Sequence, residues 1–230
     1  MHTRTEINND MNNINQQSSE IQTPEKTPDE RGGVHIQGHI KIFDPVTQEV
    51  FVDKRNAIHY ENMSEALALS VANKGNSFIS EMHFGNGGTT VDPTGVITYL
   101  PTNTNVQNAN LYSPQYYKIV DDTNAANGDP SRNRMEVTHI PGQIYTDIVV
   151  RCLLDYGEPS GQAAFDNSQD LNGQFVFDEL GLKGYSLNGP GQGKLLTHVI
   201  FSPVQKSLNR LIQIDYTVRI QTLTNLSTNA

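Results

Sequence analysis

Asn56-Ala57-Ile58-His59-Tyr60 runs into Asn62-Met63-Ser64-Glu65 and an apolar stretch through Val71. Phe78-Ile79-Ser80-Glu81-Met82-His83-Phe84 follows, and Gly85-Asn86-Gly87-Gly88-Thr89 closes the segment. This reads as one helix feeding one strand that ends in a tight glycine loop. Asn62 is placed to cap the helix, and Glu65 stands where it can reach back to that cap. Met63, Ala66, Leu67 and Val71 fall on one helical face. Asn73-Lys74-Gly75 supplies the stop, giving an expected helix over 63–73. Three turns are too few to hold without packing against something else.

Outward from this segment the periodicity is that of strands. Val34, Ile36, Gly38, Ile40 and Ile42 share one face, while His35, Gln37, His39 and Lys41 share the other. Asp44-Pro45-Val46-Thr47 is a turn, and Glu49–Asp53 returns as the partner strand. Short strands are expected at Gly95–Leu100 and Tyr116–Val120, inside a long Asn- and Thr-rich stretch of loops over 85–133. Loops of that length in a compact domain are usually functional. The second half predicts strands at Arg134–Ile140, Ile144–Asp155, Gln174–Glu179, Leu195–Phe201 and Leu211–Thr222. Glycine- and proline-rich breakers separate several of them. In the last strand Ile212, Ile214, Tyr216, Val218 and Ile220 alternate with polar residues, as in an antiparallel sheet with one wet face. The expected fold is mainly β: an antiparallel β-sandwich, jelly-roll-like, with one short flanking helix.

The chain divides into a polar N-terminal arm (1–33), the sandwich domain (34–222) and a polar C-terminal tail (223–230). Beyond Met1, the arm's sizeable apolar groups are Ile7, Met11, Ile14 and Ile21. It cannot by itself bury enough apolar area to offset the entropy of ordering. Contact with partner subunits is the expected source of order, which makes those four residues candidate interface positions. Residues 1–20 have no apolar core of a signal peptide. No apolar run approaches the roughly 20 residues of a membrane helix.

Of 230 residues, 16 are basic and 25 acidic, a formal charge of −9. That disfavours nucleic-acid binding through a basic surface. The single cysteine, Cys152, lies in an apolar run and reads as a buried structural thiol. The Gly85–Thr89 loop exposes backbone N–H groups and invites comparison with a phosphate cradle, but no helix starts after it. Gly189–Lys194 fails the P-loop spacing. Asp122–Asp129 fails the calcium-loop register. His35 and His39 are about 13 Å apart along a strand, too far to share a metal. Asp178 with Glu179, or Asp155 with Glu158, are formal carboxylate pairs, and surface carboxylates are the ordinary explanation. No catalytic residue, metal site or cofactor is expected.

Asn-x-Ile after a hairpin, Ala-Leu-Ala-Leu in a short helix, and Phe84-Gly85-x-Gly87-Gly88-Thr89 together resemble structural proteins of tailed bacteriophages. Gly181-Leu182-Lys183, Leu196–Pro203 and Ile212–Ile220 continue the resemblance, which covers residues 34–222 in outline. It implies a non-enzymatic virion subunit, assembled in the host cytoplasm. Such a subunit forms or decorates an oligomeric ring at the head–tail junction, as neck, collar or tail-completion proteins do. Its partners would be copies of itself and other virion proteins (portal, neck, tail or capsid), without a membrane. Capsid decoration is one alternative. Another is a tail receptor- or glycan-binding β-sandwich using Tyr99, Tyr112, Tyr116 and Tyr117 as an aromatic platform, against which stands a core role for these tyrosines. A sandwich hydrolase acting through Asp178 or Glu179 is a third reading.

Overall fold

The structure is a computed structural model, and it describes residues 32–75, 77–160 and 175–224. In chain order the elements are β1 (Gly32–Phe43), β2 (Val50–Ile58), α1 (Tyr60–Val71) and β3 (Ile79–Gly85). Next come β4 (Thr89–Val91), β5 (Ile97–Tyr99), β6 (Pro114–Ile119) and β7 (Arg134–His139). The last four are β8 (Tyr145–Leu154), β9 (Phe175–Gly184), β10 (Thr197–Lys206) and β11 (Ile212–Thr224). Nine strands form one antiparallel sheet in the order β6-β3-β9-β10-β2-β1-β11-β8-β7, and β4 pairs with β5 separately.

The sheet curls on itself. One half is β6-β3-β9-β10 and the other is β2-β1-β11-β8-β7. A short ladder, Thr197 with Ile58 and His198 with Ala57, joins them, helped by Lys54 Nζ donating to the Ile200 carbonyl. The two halves close over a single apolar core. Ile40, Ile42, Val150, Ile214, Tyr216 and Val218 come from one half, and Met82, Phe84, Phe177, Leu180, Leu182 and Phe201 from the other. This is a sandwich-like β-fold with one short helix. The alternation in β11 appears as expected, with Ile212, Ile214, Tyr216 and Val218 fully buried. Asp44 closes the β1–β2 turn by accepting the Val46 and Thr47 amides.

Gly38 interrupts the buried run Ile36, Ile40 and Ile42 on the inner face of β1, and it stands opposite Asn56 on β2. A methyl group there would lie 1.7 Å from the Asn56 Oδ1. The space it leaves lets the Asn56 amide cross to the buried Tyr216 hydroxyl. A polar tie between three neighbouring strands thus replaces apolar contact at this point.

Three expectations need correction. The helix starts at Tyr60, with His59 rather than Asn62 as its N-cap. The fully buried His59 ring accepts the Asn62 amide through Nδ1 at 3.3 Å. Its Nε2–H donates to the Val106 carbonyl at 2.7 Å. Asn62 is buried one turn inside, and Glu65 pairs with Lys194 instead of boxing the cap. Second, Val71 is 87% exposed, because the helix buries only its first two turns through Met63 and Ala66. Third, β9 continues five residues past Glu179, through two glycines. At Gly181 a Cβ would sit 2.7 Å from the Thr197 carbonyl, so only glycine admits the neighbouring strand. The arm residues Ile7, Met11, Ile14 and Ile21 lie outside the described residues.

Candidate functional site

In β9 the residues Phe177 and Leu180 both face the core, although strict alternation would send them to opposite sides. The alternation breaks on both strands at this point, since Phe201 and Val204 of β10 also both face the core. Glu179 pairs with Ile200 and Phe177 with Val204, so β10 carries two extra residues opposite Asp178. The bulge leaves Asp178 and Glu179 side by side between two core residues, where they meet the long loop. They are 4% and 0% exposed, because residues 86–113 lie over that side of the sheet.

Glu179 is saturated. Oε1 accepts the Gly87 amide at 3.1 Å and the Ser113 amide at 2.8 Å. Oε2 accepts the Tyr112 amide at 2.9 Å and His198 Nε2–H at 3.0 Å. Four donors fill roughly the four acceptor sites of a carboxylate. Burial alone would raise this carboxyl, but the hydrogen bonds from His198 and from the Ser113, Tyr112 and Gly87 amides outweigh it. They hold Glu179 below the ordinary glutamate value. On its other nitrogen, His198 Nδ1 accepts the Asn103 amide at 2.8 Å, which fixes the tautomer. Asp178 takes the Gly88 amide at 2.9 Å and the Thr89 amide at 2.8 Å, with the Thr89 hydroxyl added. The glycine loop is thus an anion cradle whose anions are this chain's own carboxylates. A side chain on Gly85 would meet Glu179 Oε1 at 2.4 Å, and one on Gly88 would meet Ile200 at 2.8 Å.

A second buried cluster lies on the same side. Glu81 and Lys183 pair across β3 and β9. Glu81 accepts His83 Nε2–H at 2.7 Å and the Gly191 amide at 2.8 Å, while Lys183 donates to the Gly191 carbonyl at 2.9 Å. The Gly189–Gly193 breaker is held at both polar groups of one peptide residue. Burial lowers the pKa of His83 despite the bond to Glu81, and Lys183 pushes it the same way. Lys183 is itself lowered by burial, with Glu81 opposing.

Elsewhere, burial pushes the Cys152 thiol up to about 12, which removes its nucleophilic form at neutral pH. Lys206 is fully buried, donates to the Ser207 carbonyl at 2.7 Å, and falls to about 8 through burial. Among the described residues no cluster of three or more His, Cys, Asp or Glu is placed to hold a metal ion, and no helix is long and apolar enough to cross a membrane.

The four tyrosines singled out in the sequence do not form one platform. Tyr116 packs against Phe84 and Phe175 at 6.1 Å each, and burial raises its hydroxyl to about 12. Tyr117 points the other way and stacks on His83 at 5.4 Å. Tyr112 tilts over His198 and donates its hydroxyl to the Pro101 carbonyl. Tyr99 shares a hydrogen bond with Ser202. Tyr99, Tyr112 and Tyr117 remain between 40% and 49% exposed. The anchoring role of Asp178, Glu179, His198 and His59 was not read from the sequence. The available signal was two acids inside Phe175-Val176-Phe177-Asp178-Glu179-Leu180, where apolar neighbours force burial and hence partners.

Compared with protein-family profiles, curated proteins and solved structures, the chain finds no match.

Proposed function

We propose that this chain is a non-enzymatic structural subunit of a tailed-phage virion, forming or decorating an oligomeric ring at the head–tail junction. The observation that carries the non-catalytic half of this reading is the saturation of Glu179 and His198. Every oxygen and ring nitrogen of that buried acid–base pair is engaged in a hydrogen bond within the protein. A general acid or base needs an atom within reach of substrate, and a retaining carboxylate pair needs room between the groups for a sugar. Here the groups fasten a loop. The sequence resemblance supplies the virion half, and the polar arm supplies the expectation of partners.

Tail receptor or glycan binding is the second reading. The partly exposed ring of Tyr117 borders a cleft of about 530 Å³ that also presents Arg132, Asp129 and Glu158. Saturable binding of host polysaccharide by the isolated protein, lost in Tyr117→Ala, would favour it.

The direct test of the first reading compares particles assembled with the full chain and with a chain lacking residues 1–31, which leaves β1 whole. The full chain is expected to co-purify with particles, and the truncated chain to fold but stay free. Equal incorporation of both would refute the role assigned to the arm.

A further inference from the structure

The half-sheet that contains β1 and β11 is longer than the half it covers. β1 pairs with β11 from Gly32 to Phe43, but with β2 only from Gly38 onward. Among the described residues, nothing pairs with the other side of Gly32–Gln37. Those residues are an open strand edge within a sheet that is otherwise paired there. Beside the edge runs a slot of about 420 Å³ between β1 and helix α1. Val34, Ile36, Tyr60 and Leu67 make its apolar walls, with Glu61 and Ser64 at the rim. Val34 is 61% and Tyr60 68% exposed, unusual for large apolar groups that flank one groove.

We infer that this edge and slot receive residues from the N-terminal arm (1–31) of a second copy of the chain, added as a strand beside Gly32–Gln37. This inference rests on the reading of the protein as an assembly subunit. Strand addition takes its affinity from main-chain hydrogen bonds and asks for only a few apolar side chains. That suits an arm whose sizeable apolar groups are single residues among Asn, Gln and Ser. An open edge left uncovered is a liability that proteins normally manage. The position of the arm points to the slot, because residue 31 joins Gly32 at the first residue of the open edge. Its length is enough to reach another subunit. Ile7, Met11 and Ile14 lie 18 or more residues before Gly32. Extended, 18 residues span about 60 Å, against a radius of gyration of about 16 Å for a domain this size. These residues reach a neighbour's slot with length to spare.

Two variants of the full chain test it. Val34→Asp/Tyr60→Asp spoils the slot at exposed positions, and Ile7→Asp/Met11→Asp/Ile14→Asp spoils the arm. Sedimentation velocity should find the wild type associated and each variant monomeric, with unchanged circular dichroism. Mixing the two variants should restore a one-to-one heterodimer, because one supplies a sound arm and the other a sound slot. The amides among residues 33–37 that face away from β11 should exchange at least tenfold more slowly in the associated wild type than in either variant. A monomeric wild type, variants that associate like the wild type, or a mixture that stays monomeric would overturn the inference. The last result would mean that the arm folds back on its own subunit. Failure here would leave incorporation into particles to be decided by its own test.

Discussion

Gly38 and Glu179 are the residues at which local chemistry decides most. Gly38→Ala puts a methyl group onto Asn56, and overpacking of this kind costs about 1–3 kcal/mol. Because the two side chains share one space, Gly38→Ala/Asn56→Ala should cost less than the sum of the single changes in urea unfolding. Strict additivity would argue against the contact. Glu179→Gln presents an amide where four donors converge, so about 2–3 kcal/mol should be lost at pH 7. The pH dependence follows from directions already given. Glu179 and His83 both titrate below their ordinary values of 4.5 and 6.5. In each case the unfolded chain binds more protons within the window, so stability rises with pH there. Each contribution is complete above the unfolded value and disappears as pH falls through the folded one. The urea midpoint should therefore fall in two stages on acidification. The first begins below about 6.5 and is removed by His83→Gln; the second begins below about 4.5 and is removed by Glu179→Gln. A midpoint independent of pH between 7 and 5 would contradict the His83 assignment, and one that falls equally below pH 4.5 in wild type and Glu179→Gln would contradict the other.

At the scale of elements, the long loop is not free. Asp178, Glu179, His198, His59 and Asn62 hold it at Gly88, Tyr112, Ser113, Asn103, Val106 and Gln107. Asp178→Ala should release the β4–β5 hairpin alone, so that limited proteolysis cuts near residues 89–99 while the nine-stranded sheet survives. Resistance equal to the wild type would show that Asp178 is dispensable there. The alternating strands were legible in the sequence because side-chain direction is local: β1 and β11 could be read from their period. The glycine loop was legible as a turn. Its purpose was not, since Asp178 is ninety residues from Gly88. Likewise, Asn62 looks like a helix cap, and only the distant Leu195 and Gln107 carbonyls explain why His59 takes that position instead. Exposure of Val34 and Val71 was also hidden, because a periodic pattern does not say where the covering layer stops.

At the scale of the whole molecule, two features combine. A rigid, loop-covered half-sheet displays fixed surfaces, and an overhanging half-sheet leaves an open edge where the polar arm begins. A surface fixed by many hydrogen bonds, together with an open strand edge, fits the proposed role as a part that is built into something larger. Fold by itself does not assign function; a place in a tailed-phage virion is the proposal that the sequence resemblance motivates. The most direct measurement is quantitative mass spectrometry of gradient-purified particles, joined to electron-microscopic localisation of the chain. The account predicts a fixed copy number per particle, arranged as a ring at the head–tail junction. Particles that are infectious and complete without this chain would contradict it.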